Sequence, residues 1–391
     1  MKLSSRAQSI PESGTFKVKR QAGELRAKGK DVIGLGPGEP DFATFPAVCE
    51  AGERAIKEGH TRYPPSAGVK ELREAIAEHY NKKYGCKLSF QNVFISVGGK
   101  GALYHNFLGL LDRGDEVIVP APYWVSYPPQ VELAEGKSVV VSTEDSGLVL
   151  EARHVEGALT PRTKAVVVNS PSNPTGRIIP RDNLNALVRL AKERGIVLVG
   201  DECYEVYDYE GTFASLAEHF SEPDALEHIL LTHTFSKPYA MTGWRVGYTI
   251  GSKELVSAMA NLQSHTVSNT ATFVQKAAVD ALHLPAAELA PLIEGYRKRR
   301  DLVVQALRAM PGIDTTNPEG AFYVFPSVKG VMKRMGLETS NAFAAKLLEE
   351  AYVAVVPGAD FGMDGYVRIS YAVPEDRLRE AMERLNKFAS G

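Results

Sequence analysis

What most constrains the fold of this chain is a regular order of strand-like and helix-like stretches. Runs rich in β-branched residues, "NVFIS" (92–96), "DEVIVPA" (115–121), "KSVVVS" (137–142), "TKAVVVNS" (163–170), "IVLVGD" (196–201) and "HILLTHT" (228–234), are separated by segments with helical apolar spacing such as "PRDNLNALVRLAKERG" (180–195). Runs that are apolar on both sides belong to strands covered on both faces, and strands joined through helices run parallel. The expected fold class is therefore α/β, a mostly parallel central sheet flanked by helices. Ligand groups in such a sheet gather at the carboxyl ends of the strands.

The alternation fades after "LPAAELAPLIEGYRKRRDLVVQALRAMPG" (284–312), where short strands "AFYVFP", "VAVVPG" and "YVRISYA" mix with helices. That pattern predicts a smaller α+β domain. A chain of 391 residues suits such a division. The expected units are a large domain over 46–288 and a small domain made of 289–391 with the N-terminal segment 1–45.

Composition narrows the partners. With 45 Lys and Arg against 47 Asp and Glu, the chain has no field that favours nucleic acid or an anionic membrane. Cys49, Cys86 and Cys203 are far apart and form no CxxC pair, so neither a disulfide framework nor a metal site is expected. The opening "MKLSSRAQSIPESGTFKVKR" has no apolar leader core, and no stretch is apolar enough to span a bilayer, so a cytoplasmic location is expected.

The candidate chemistry sits at strand ends. Lys237, in the largely apolar "TFSKPYAMTGWR", is expensive to bury as an ammonium, so it either snorkels, the common outcome for a lone lysine, or has a lowered pKa and works as an amine nucleophile, the reading its neighbours favour. Arg245 offers a planar fork suited to phosphate, beside the hydroxyls of Thr234 and Ser236. The "GGKG" junction, Gly98 to Gly101, opens a helix whose free N–H groups attract anions. It lacks the GxxxxGK spacing of a Walker loop, and "GLGPGEP" lacks the GxGxxG spacing of a dinucleotide site. Asp201 ends an apolar strand, Tyr204 follows it, and Asn173 lies on the proline-bounded loop "NSPSNPTG". An amine, an anion cup, a carboxylate, a phenol and an amide together match the functional groups of pyridoxal 5'-phosphate.

In this order, "YPPSAG", "VGGKGAL", "PYWVSY", "NSPSNPTG", "DECYE", "TFSKPYAMTGWRVGY" and "GAFYVFP" resemble the motifs of a class I, fold-type I pyridoxal-phosphate-dependent aminotransferase. The chain is most similar to the bacterial aspartate aminotransferases of the subgroup that lacks the usual distal-carboxylate arginine.

The resemblance implies a homodimer with shared active sites and assigns roles. Lys237 is the Schiff-base lysine and proton shuttle. Asp201 keeps the ring nitrogen protonated, Asn173 and Tyr204 bind the ring oxygen, and Trp124 flanks the ring and substrate. Thr234, Arg245 and the Gly98–Gly99–Lys100 backbone hold the phosphate, which Tyr63 reaches from the neighbouring subunit. Arg368, with the backbone at Gly38, takes the substrate α-carboxylate, and Lys100, Ser13 and Thr15 take the distal one. Thr234 stands where the family has Ser or Gly, and Cys203 where an aliphatic residue is common, an exchange read as packing. No metal is implied.

The expected reaction moves the amino group of aspartate to 2-oxoglutarate by a ping-pong mechanism through pyridoxal and pyridoxamine phosphate. Prephenate, aromatic or other aminotransferases, or a C–S lyase, remain alternatives on the same scaffold.

Overall fold

The computed structural model describes residues 2–10 and 12–391. Its centre is a seven-stranded sheet of β1 (Val93–Ser96), β2 (Glu116–Ala121), β3 (Lys137–Ser142), β4 (Thr163–Asn169), β5 (Val197–Asp201), β6 (Ile229–Thr234) and β7 (Gly247–Ile250). The strands lie in the order β1-β7-β6-β5-β4-β2-β3. All neighbours are parallel except β7, which runs against both β1 and β6.

Alternation along the strands explains why both faces are covered. Val117, Val119, Val167, Val199 and Leu230 point to one layer, where they meet Leu103 and Phe107. Ile118, Val166, Val168, Leu198 and Leu231 point to the other, against Leu72, Ile76 and Leu187. Each such side chain, fully buried, contributes about 1.5–3 kcal/mol.

A second core holds the C-terminal part together. A three-stranded antiparallel sheet, Val356–Pro357, Val367–Ser370 and Tyr323–Val324, packs with helices Ala286–Arg308, Ser340–Ala351 and Glu375–Ser390. The N-terminal strand Ile33–Gly34 pairs with Val353–Ala354, so the start of the chain leans on its end. Tyr204 and Tyr207, from the loop after β5, are buried in this second core as well. The proline-containing stretch at 285–291 is the first part of the long helix Ala286–Arg308, with Pro285 at its N-cap and Pro291 inside it.

Strand register then sets the site. Asn169, Asp201 and Thr232 are lateral neighbours across β4, β5 and β6, while Thr234, Gly247 and Ser96 form a second row across β6, β7 and β1. Two rows of strand ends therefore open toward the same edge of the sheet. No helix among the described residues is long and apolar enough to cross a membrane, and none of their His, Cys, Asp and Glu side chains cluster as a metal site would need.

Candidate active site

Above that edge lies a cavity of about 460 Å³, walled by strand ends of the large sheet, by Tyr323 and Arg368 of the second core, and by Ser13, Thr15 and Phe16. Lys237 follows β6 into it and donates a hydrogen bond to the Gly38 carbonyl. Burial lowers its pKa to about 8; Cys203 and Glu39 oppose the shift, while Arg368 and Arg245 add to it.

Asp201 is 5% exposed and has one fixed donor on each oxygen: the Tyr127 hydroxyl at 2.7 Å and the Cys203 backbone N–H at 3.3 Å. Burial pushes its pKa up and these donors pull it down. Tyr204 shares a hydrogen bond of 2.7 Å with the Tyr323 hydroxyl. Cys203 lines the same wall, and burial pushes its thiol up, which leaves it protonated and inert.

The anion cup is built by close backbone approach. The helix Gly98–Leu110 starts against β7 and Arg245. Gly98 has φ +73°, and a Cβ there would fall 2.5 Å from Arg245 Nη2; a Cβ on Gly247 would fall 2.5 Å from the Gly99 nitrogen. Arg245 itself adopts φ +58°, a left-handed conformation that costs a non-glycine residue energy and aims its fork back at the helix start. Its Nη1 donates to the Thr242 carbonyl at 2.8 Å. Thr234 Oγ1 lies 2.9 Å from Ser236 Oγ, so both hydroxyls border the same cup.

Arg368 is 2% exposed on the strand Val367–Ser370. Its Nη1 donates to Asn173 Oδ1 at 2.9 Å and its Nη2 to the Gly36 carbonyl at 2.6 Å, while Nε is buried without a partner. The guanidinium lies between the Tyr323 and Phe361 rings, 4.6 and 5.0 Å from their centroids. Asn169 ties the neighbouring loop down: its Oδ1 accepts from the Asn173 backbone N–H and its Nδ2 donates to the Asp201 carbonyl.

At the other end, Lys100 Nζ rests 5.0 Å over the Trp124 indole. Burial, with Arg245 nearby, lowers its pKa. Ser13 caps the helix Gly14–Ala27 by position without a capping hydrogen bond from its side chain, and it lines the cavity with Thr15.

The structure thus brings together Ser13, Thr15, Gly38, Gly99, Lys100, Trp124, Asn173, Asp201, Tyr204, Thr234, Lys237, Arg245 and Arg368. Gly98 stands behind the wall, under Arg245. Tyr63 lies apart, 89% exposed, over a separate surface hollow with His60, Arg62 and Lys70. Sequence reasoning missed Tyr127, Asn169 and Tyr323. Asn169 ends an apolar strand as Asp201 does, a signal that could have found it; Tyr127 and Tyr323 lie inside the quoted motifs "PYWVSY" and "GAFYVFP".

Charge decides what such a cavity accepts. Its wall contains four cations, Lys100, Lys237, Arg245 and Arg368, and one carboxylate, Asp201. The partners of the cations are carbonyl oxygens, an amide oxygen and an indole face, and among the described residues none of the four forms an ion pair. Arg368 is buried, Lys237 is half-buried and Lys100 and Arg245 are open toward the cavity mouth; four cations converging on one cavity without a counterion among the described residues call for an anionic ligand.

Comparison with known proteins agrees with that polarity. The model of the family "Aminotransferase class I and II" matches residues 30–385. An aspartate aminotransferase of Geobacillus stearothermophilus is 42% identical over 390 residues, covering 99% of each chain. An aspartate/prephenate aminotransferase of Thermus thermophilus is 46% identical, covering 98% of this chain and 97% of that protein. Among solved structures, a Thermus thermophilus aspartate aminotransferase with maleate superposes with a TM-score of 0.93 at 43% identity, over 99% of this chain and 100% of the other.

Proposed function

The chain belongs to the class I and II aminotransferases, and from that membership we propose that it transfers the amino group of aspartate to 2-oxoglutarate, with pyridoxal 5'-phosphate as its cofactor. Enzymes of this family use that cofactor. The observation that carries the reading is the cavity with one carboxylate and four cations that have no ion-pair partner among the described residues. It suits a phosphorylated cofactor together with a substrate that has two carboxylates.

The residues present fit the cofactor. A buried amine near pKa 8 answers an aldehyde, the Gly99, Thr234, Ser236 and Arg245 cup answers a phosphate, and Asp201 answers a ring nitrogen. When bound, the cofactor supplies the electron sink that makes the substrate Cα–H acidic. Lys237 then removes and returns the proton at Cα. Asp201 would hold a proton at the ring nitrogen, Tyr204 and Asn173 would serve the ring oxygen, and Trp124 would flank the ring. Arg368, with the Gly38 backbone, takes the α-carboxylate, and Lys100 with Ser13 and Thr15 takes the distal carboxylate.

The two half-reactions run ping-pong, the product oxo acid leaving before the acceptor enters. The protein acts in the cytoplasm as a homodimer in which exposed Tyr63 reaches the partner's phosphate cup. Residues 46–288 form the large domain, and 1–45 with 289–391 form the part that closes over the substrate.

The presence of Ser13, Thr15 and Lys100 on the cavity wall and the maleate of the Thermus structure, itself a dicarboxylate, support the distal site. Prephenate as acceptor is a second reading, favoured by the name of the 46% identical relative.

Lys100→Ala tests the assignment. With aspartate as donor kcat/KM should fall about 10- to 100-fold, the worth of a charge-assisted hydrogen bond, while alanine turnover stays within about twofold. An equal loss with both donors would show that Lys100 has no part in reading the distal carboxylate.

A further inference from the structure

The shared hydrogen bond between Tyr127 and Asp201 is more than mutual satisfaction of two buried groups. Tyr127 is 1% exposed and sits in an otherwise apolar layer with Leu103, Phe107 and Val131. A phenol there needs an acceptor, and its acceptor is the one carboxylate in the cavity wall. Asp201 has no cationic partner at hydrogen-bond distance among the described residues; its donors are the Tyr127 hydroxyl on Oδ2 and the Cys203 N–H on Oδ1. One donor on each oxygen fixes the plane of the carboxylate. Without the phenol, Cys203 alone is left beside the carboxylate, its N–H at the longer distance of 3.3 Å and its thiol close by.

Tyr127 is itself held firmly. It opens the helix Tyr127–Leu133, its backbone N–H donates to the Trp124 carbonyl at 3.0 Å, and its ring meets the Trp124 indole edge-on, centroids 5.4 Å apart at 81°. Pro128 and Pro129 follow and restrict the first turn. Burial next to Asp201 pushes the phenol far above its ordinary pKa, so it stays a neutral donor throughout the working range.

We propose that Tyr127 is a positioning residue that acts through Asp201, fixing one carboxylate oxygen so that the carboxylate is presented to the ring nitrogen of the cofactor. The proposal rests on the cofactor reading above. A single turn of chain, 124–127, then sets both contacts of the ring: Trp124 on its face and, by way of Asp201, its nitrogen edge.

The experiment compares wild type, Tyr127→Phe, Asp201→Asn and the double variant, each loaded with cofactor labelled with ¹⁵N at the ring nitrogen. In Tyr127→Phe the ¹⁵N resonance should move from the protonated toward the neutral position. Cofactor dissociation and kcat with aspartate should both worsen by about 10- to 100-fold, as expected for losing a hydrogen bond to a charged group, with KM within about twofold. In the Asp201→Asn background the same change should add nothing, because its target is gone. A Tyr127→Phe resonance and kcat equal to wild type would overturn the proposal and leave the cofactor reading intact. A full additional loss in the Asp201→Asn background would also overturn it, since Tyr127 would then act by packing alone. Wild type that takes up no labelled cofactor would overturn both readings.

Discussion

The stretch "DECYE" sends its carboxylates in two directions, and the two destinations differ in one respect. Toward the cavity, Asp201 shares a wall with four cations that have no counterion among the described residues. Behind the strand ends, the two neighbouring carboxyls have partners among the described residues, Glu205 as a charge and Glu202 as a group that burial keeps largely protonated near neutral pH. Glu205 pairs with Lys83 at 3.2 Å and lies 3.5 Å from His233, and Glu202 accepts from the Ser215 hydroxyl at 2.6 Å and the Leu216 N–H at 2.7 Å. Burial works against ionising Glu205, yet His233 and Lys83 hold its pKa at about 2. Buried charge alone therefore does not mark a site. Paired charge is architecture, and cations left without counterions are what an anionic ligand completes.

The largest expected effect tests the unpaired side. Lys237→Met should abolish amino transfer, a loss of about 10⁴-fold or more, because nucleophile and proton carrier disappear together. The apoprotein should be as stable as wild type or more so, since a buried cation without a counterion is exchanged for an apolar chain of similar length. Thermal unfolding of the cofactor-free proteins checks this. A marked drop in midpoint would mean that Lys237 is paired after all, and the contrast would collapse.

Glu205→Gln is the converse and a smaller effect. It removes the carboxylate from beside the exposed Lys83 and the buried His233 ring, so stability should fall by about 1–3 kcal/mol while kcat stays within about twofold. Denaturant titration reads the first and steady-state turnover the second. A kcat that fell with stability unchanged would move this cluster into the catalytic machinery.

How much of this the sequence revealed follows from how far apart the partners lie. Asp201, Asn173, Lys237 and Thr234 were legible because a parallel sheet delivers strand ends to one edge, whatever the rest of the chain does. Six of the seven strands carry long apolar runs; β7, four residues bounded by Gly247 and Gly251, does not, and its reversed direction follows from no local pattern. The Lys83–Glu205 pair bridges 122 positions and the Tyr127–Asp201 bond 74. Tyr127 reads locally as an aromatic ahead of two prolines. Only the register of β5 against its neighbours, and the helix packed beneath, turns that aromatic into a partner of Asp201.

The finest test is in pH, where the two sides have opposite slopes. Burial raises Glu202 from the usual carboxylate range to about 8, so the stability it contributes is complete at low pH and is lost as pH rises through about 8. Burial lowers Lys237 from 10.5 to about 8, so the folded apoprotein bears a buried ammonium below that value and gains stability as pH climbs from about 8 toward 10.5. Glu202→Gln should flatten the first limb and Lys237→Met the second. The same titration governs chemistry on one side only. The free amine is the nucleophile, so apoprotein should capture cofactor faster as pH rises, by about tenfold per unit below 8 and levelling above it. Stopped-flow absorbance measures that rate. Glu202→Gln should leave its midpoint in place, because Glu202 titrates against Ser215 and Leu216 rather than against the amine; a midpoint that moved would mean the two clusters share one field, and the boundary between paired and unpaired charge would have to be redrawn through the strand itself.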